Sequence, residues 1–113
     1  MALTRSAEQL IARHVDSVGA LDLLLLVHDR RDRDWSAEEL CEALRCPDRW
    51  AAEQIARLEA LDLLGEVAPQ RYRYLRGRRF GAAVDEIARA WRRDRAAVTR
   101  QIFARPPGGQ FAR

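Results

Sequence analysis

The sequence predicts a mainly α fold with a small β-ribbon and a long C-terminal helix, all in one domain. Three stretches carry that expectation. Between Ser36 and Leu64 two short amphipathic patterns meet at a proline. From Glu66 to Arg76 the pattern changes to a period of two, and from Phe80 to about Arg105 apolar residues recur at helical spacing in the longest periodic segment of the chain.

In chain order, Ser6-Ala-Glu-Gln9 is a capping-box pattern that opens a helix over about 6–15, with Ala7, Leu10, Ile11, His14 and Val15 along one side. Ser17 caps a second helix, 17–31. Its Val18, Leu21, Leu24, Leu25 and His28 share a face that Leu23, Leu26 and Val27 widen almost all round, so it should be the most buried element. Arg30-Arg-Asp-Arg-Asp34 reads as a solvated connection into Trp35.

Ser36 with Glu39 is a second capping box, opening a short helix over 36–45 whose Ala37, Leu40 and Leu44 lie together. Pro47 cannot donate to the preceding turn and pushes Cys46 out of the α region, and Asp48 suits the N-cap of the next helix, 48–63. Ala51, Ile55 and Leu58 mark its buried face, and Leu61, Leu63 and Leu64 lead to Gly65 as a stop. Two short helices joined by a tight turn make a helix-turn-helix layout. Tyr72 and Tyr74 alternating with Arg71 and Arg73 then predict a half-buried ribbon within 66–76.

The final helix, Phe80 to about Arg105, aligns Phe80, Val84, Ile87, Trp91, Val98 and Ile102 in one stripe, with Arg89, Arg93 and Arg100 opposite. Pro106-Pro-Gly-Gly109 ends it. Residues 1–105 are thus expected to form one domain and 106–113 a flexible tail, in a chain of 113 residues that is long enough for one modest core.

A helix-turn-helix followed at once by a basic ribbon resembles the winged helix-turn-helix family of bacterial transcriptional regulators, of MarR-like and PadR-like kind. The resemblance covers roughly Ser17 to Leu75: Ser17–Arg30 as the first helix of a trihelical core, Trp35 at the place of a short pairing strand, and Glu66–Arg76 as the wing. The chain departs from the pattern at Asp62-Leu63, where the family often has Gly-Leu. The resemblance implies a DNA-binding transcriptional regulator.

The charge distribution bears on that implication. Residues 1–66 carry eight Arg against fourteen acids, and residues 67–113 carry twelve Arg against three, for a net charge of +3. Such asymmetry suggests that a polyanion, or an acidic protein face, meets the C-terminal half. A solvated Arg-rich helix is the plainer alternative. There is no Lys and no Asn, and Ala is abundant, a bias of the kind that a GC-rich genome produces. The longest apolar run, Leu23 to Val27, is far too short to span a bilayer, and the N-terminal residues lack the pattern of a signal peptide, so a cytoplasmic location is expected and no membrane partner.

Catalytic patterns are missing. The sequence has no Gly-rich phosphate loop, no Gly-x-Ser-x-Gly elbow and no His-Glu-x-x-His, which argues against an enzyme and against a cofactor. His14 and His28 fall in the last turns of two predicted helices, where an imidazole suits the dipole and can bond free carbonyls. Cys41 and Cys46 have no further ligands at metal-binding spacing. Cys41 beside Leu40 and Leu44 reads as packing, a disulfide is not expected in a reducing compartment, and Cys46 near Arg45 and Arg49 is a candidate redox-sensing thiol. Of the tryptophans, Trp35 and Trp91 read as core, and Trp50 sits on a helix flank beside Gln54 and Arg57.

For double-stranded DNA, the candidate contacts are Arg49, Trp50, Glu53 and Arg57 on the helix from Asp48, and Arg71, Arg73, Arg76, Arg78 and Arg79 on and after the ribbon. Arginine forks suit guanine edges or phosphates, and a glutamate can accept from cytosine. The same helix also carries Asp48, Glu59 and Asp62, which is poor electrostatics for a phosphate-lined groove. The rival expectation is a winged-helix module that binds a protein, such as a component of the transcription machinery, through the Arg-rich half.

The stripe on the last helix would run about 33 Å, longer than an N-terminal helix of about 15 Å can cover. A homodimer with Val84, Ile87, Trp91, Val98 and Ile102 at its interface is therefore expected. The competing arrangement folds the terminal helices of one chain over each other.

Overall fold

A computed structural model describes residues 3–104. Among them are six helices and one two-stranded antiparallel sheet, in the order α1 (Arg5–His14), α2 (Val18–Asp29), α3 (Ala37–Leu44), α4 (Asp48–Ala60), β1 (Leu64–Ala68), β2 (Arg71–Tyr74), α5 (Gly81–Arg93) and α6 (Arg95–Phe103). Arg105 and the 106–113 tail lie outside the described residues.

Helix starts follow side-chain capping, with two shifts from the sequence expectation. Ser17 accepts from the Ala20 amide, and Ser36 with Glu39 forms the full reciprocal capping box. α1, however, is capped by Thr4, which accepts from Ala7, and Ser6 lies inside the helix. Thr4 is further fixed because its amide and hydroxyl both donate to Glu86 on α5, each at 2.6 Å. At α4 the N-cap is Pro47, without a side-chain bond, and Asp48 is the first helical residue rather than the cap.

α4 stops before Gly65. Asp62 adopts a left-handed backbone (φ 60°), its amide donates to Glu59, and the Leu63 amide reaches back to Leu58 at 2.9 Å. Those two bonds are the Schellman closure, which ordinarily recruits glycine at the left-handed position. Asp62 therefore does the stopping, and Gly65 lies in β1 opposite Arg73.

The ribbon pairs Leu64 with Tyr74 and Glu66 with Tyr72, with a bulge between Glu66 and Ala68. On its other side Tyr72 forms a two-bond bridge with Trp35: the Trp35 amide donates to Tyr72 at 2.7 Å and the Tyr72 amide donates back at 2.8 Å. The segment before α3 is thereby stitched to the ribbon.

α2 is the central element, with Leu21, Leu23, Leu24 and Val27 all at 0 or 1% exposure. His28, expected to bond free carbonyls, is instead a buried side chain at 4% exposure. Its Nε2 lies 2.9 Å from Asp85 Oδ1 on α5 and its Nδ1 lies 3.2 Å from Asp29, with Tyr74 edge-on to the ring.

The expected single C-terminal helix is broken at Asp94, whose φ of −151° and ψ of 82° are not helical. Asp94 closes α5 through its amide and caps α6 by accepting from Ala97. The break turns α6 so that α5 and α6 both pack against α1. Val84, Ile87, Val98 and Ile102 are 0–2% exposed within one chain, in the same core as Leu10 and Ile11. Trp91 is half-buried, with the Arg95 guanidinium 4.8 Å above its ring. Helix α1 of the same chain packs on this stripe, so the burial of Val84, Ile87, Val98 and Ile102 requires no partner.

Candidate binding face of α3, α4 and the β-ribbon

The exposed side of α4 follows from its buried one. With Ala51, Ile55 and Leu58 turned into the core, Arg49, Ala52, Glu53, Ala56, Glu59 and Ala60 face solvent. Trp50 is half-buried on the flank; a Cβ added at Gly19 of α2 would meet its ring at 3.6 Å, so the indole lies over that glycine. Arg57, expected on the outward face, is only partly exposed. Its guanidinium donates to the His14 carbonyl at 3.1 Å and lies 3.5 Å from Asp16, tying α4 to the α1–α2 connection.

The ribbon arginines are largely committed within the chain. Arg71 lies 2.8 Å from Asp34 and 2.9 Å from Glu39, locking β2 to the start of α3. Arg73 is 3.9 Å from Asp34, a looser contact, and Arg76 donates to Asp85 at 3.0 Å. Arg79 stacks 4.7 Å from the Phe80 ring centre. Among these candidates, Arg49, Arg78 and Arg79 are exposed with no ion pair among the described residues. The residues expected to form one cationic face are thus distributed over three places: the ribbon's contact with α3, the approach to α5, and the far end of α4.

Between α3, the outer side of α4 and the ribbon lie two adjoining clefts of about 760 and 550 Å³ that share Ser36, Glu38, Asp48 and Gln70. Glu39 and Glu42 border one and Glu59 borders the other, with Tyr72 beside it. The only arginine on these walls is Arg71, already held by Asp34 and Glu39. The face is acidic.

Titration directions agree with the geometry. Glu39 is held below the usual carboxylate range chiefly by the Ser36 amide; burial opposes this, and Arg71 and Arg33 reinforce it. Tyr72 is pushed up by burial first and then by Glu66 and Glu59, as befits a phenol at the edge of an acidic groove. At the opposite end of α4, His14 is pushed down by burial and then by Arg79, Arg57 and Arg13, which marks a small cationic cluster there.

The sequence reading missed the partners more than the arginines. Asp34 and Glu39 decide what Arg71 can touch, and Glu38, Glu42 and Asp48 set the sign of the groove. Their signal was present in the acid-rich stretch Glu38-Glu39-Leu40-Cys41-Glu42, but only the chain crossing from Trp35 to Tyr72 brings it beside the ribbon.

No group of three or more His, Cys, Asp or Glu side chains among the described residues is arranged to hold a metal ion, and no helix there is long and apolar enough to cross a membrane. Compared with known proteins, the chain matches no family model, no curated protein and no solved structure.

Proposed function

We propose that the chain is a protein-interaction module of winged-helix type, in which the groove between α3, α4 and the ribbon receives a basic segment of a partner protein. The observation that carries this reading is the acidic groove beside ribbon arginines already paired with Asp34, Glu39 and Asp85. Duplex DNA approaching α4 would bring phosphates against Glu38, Glu42, Asp48 and Glu59, and like charges set face to face oppose association. A Lys- or Arg-rich segment meets complementary charge instead. The surface differs from the Arg-rich half that the sequence pointed to, because Arg71, Arg73 and Arg76 are paired with acids of the same chain.

A second reading, the DNA-binding regulator, is favoured by Arg49 in the first turn of α4, by Arg78, and by the cationic cluster of Arg13, Arg57 and Arg79 around His14. Binding to duplex DNA over a salt series separates the two. The protein-interaction reading expects no salt-dependent duplex binding at micromolar protein. It also expects an arginine-rich peptide to shift the amide resonances of Glu38, Glu42, Asp48 and Glu59. Tight duplex binding that falls steeply with salt would overturn it in favour of DNA.

A further inference from the structure

The turn between α3 and α4 brings two thiols together. α3 ends on Arg45 in the left-handed region (φ 56°), and the amides of Arg45 and Cys46 both donate to the Cys41 carbonyl, the second at 3.2 Å. A helix closed through a left-handed residue folds back so that the residue just after that position packs on the residue five earlier. Here those two residues are Cys46 and Cys41. Both are reduced and half-buried. Asp48 and Cys46 neighbour the Cys41 thiol, and burial followed by Asp48 and then Cys46 pushes it up to about 12. Each cysteine also borders open space: Cys41 lines the acidic groove, and Cys46 lines a separate cleft of about 350 Å³ beside Arg45 and Trp50. Small solutes therefore reach the pair.

We propose that Cys41 and Cys46 are a hydroperoxide-reactive dithiol that closes into a reversible disulfide across the α3–α4 turn. Cys46 is the attacking residue, because Cys41 stays protonated at neutral pH and a thiol is a poor nucleophile. The Cys46 thiolate attacks one peroxide oxygen, so an S–O bond forms and the O–O bond breaks. The departing alkoxide or hydroxide takes a proton from solvent, and Cys46 becomes a sulfenic acid. The Cys41 sulfur then attacks the Cys46 sulfur: an S–S bond forms, the S–O bond breaks, and the leaving hydroxide departs as water with the proton of the Cys41 thiol, relayed through the Asp48 carboxylate. Two electrons pass from the two thiols to the peroxide, and a dithiol reductant reverses the change.

The test uses the full chain treated with hydrogen peroxide, then alkylated under denaturing conditions and weighed. The expected product has lost two hydrogens, carries no alkylatable thiol, runs as a single chain on a non-reducing gel and is restored by dithiothreitol. C41S should stop at a Cys46 sulfenic acid that a cyclic 1,3-diketone traps, C46S should keep Cys41 alkylatable, and D48N should slow disulfide closure by about tenfold or more. Two thiols surviving in the wild-type chain, a disulfide mainly between chains, or C46S oxidising as fast as wild type would each overturn the proposal. The wild-type mass needs no variant and decides the point by itself.

Discussion

Arg71 on β2 and Glu39 in the first turn of α3 are joined at 2.9 Å, and the same guanidinium lies 2.8 Å from Asp34. Glu39 simultaneously accepts from the Ser36 amide, so one carboxylate serves both the capping box and the ribbon. Arg71→Ala should lower the urea midpoint, and Glu39→Ala should lower it too, because the cap and the ribbon lock are lost together. In a double-mutant cycle the two changes should be less than additive, the signature of a shared interaction. Additive losses would mean that the contact contributes nothing to stability.

Two left-handed residues make a graded prediction. Arg45 and Asp62 both hold φ near 60° at helix ends, a conformation that costs a side chain about 1–2 kcal/mol and that glycine adopts freely. Arg45→Gly should stabilise the chain by about 0.5–1 kcal/mol after glycine's extra unfolded-state entropy is counted. Asp62→Gly should gain less, because Asp visits this region more readily than Arg. Gly77 is the opposite case. A Cβ there would stand 2.6 Å from the Asp62 carbonyl oxygen, which is backbone, so Gly77→Ala should cost about 1–3 kcal/mol in chemical denaturation.

Stability should fall on the acid side for two separable reasons. Burial pushes the Asp85 carboxyl up, but the hydrogen bonds and charges of His28 and Arg76 outweigh it and hold it below its ordinary 3.8. A depressed carboxyl adds stability above its unfolded value and loses it as pH falls through the folded one, so the advantage of wild type over Asp85→Asn should close below pH 3.8. His14 acts at higher pH. Burial and then Arg79, Arg57 and Arg13 lower it, so below 6.5 the unfolded chain takes up a proton that the native chain resists, and stability declines. Arg79→Ala should move the His14 titration, followed by imidazole NMR, upward; no movement would place Arg79 elsewhere.

The residues that could be read from sequence are those whose cause is local. The capping box at Ser36, the stop at Pro47 and the alternation at Tyr72 and Tyr74 need only near neighbours, and they define α3, the turn and the ribbon. Asp94 was hidden because Ile87, Trp91, Val98 and Ile102 keep helical spacing across it, although Asp94-Arg-Ala-Ala97 has an N-cap residue in place. The site was less legible for a related reason. Arg71, Arg73 and Arg76 were visible as cations, but their partners Asp34, Glu39 and Asp85 are brought to them only by the fold.

The broken C-terminal helix changes what disruption of its stripe should do. Ile87 is 0% exposed and Val98 and Ile102 are 2% exposed against α1. Light scattering should therefore give a mass near the 13.0 kDa of one chain. Ile87→Ala should cost about 2–5 kcal/mol of folding stability. Val98→Asp with Ile102→Asp should unfold the chain at any protein concentration, whereas a dimer interface would leave folded monomers behind.

The acidic groove predicts that duplex binding can be installed by charge reversal. Glu42, Glu53 and Glu59 are exposed on α3 and α4, and each occupies a helix surface position where arginine is well tolerated. If acidity is what keeps phosphates away, Glu42→Arg with Glu53→Arg and Glu59→Arg should add up to about three phosphate contacts. The variant would then show a salt slope for duplex binding of nearly −3, where wild type shows none. Circular dichroism should stay that of the wild type, since none of the three side chains makes a hydrogen bond or ion pair among the described residues. A folded variant that still ignores duplex DNA would show that the shape of this face, and not its charge alone, is unsuited to a nucleic-acid groove. A wild-type chain that already binds with a steep slope would place the DNA contact on Arg49, Arg78 or the cluster around His14 instead.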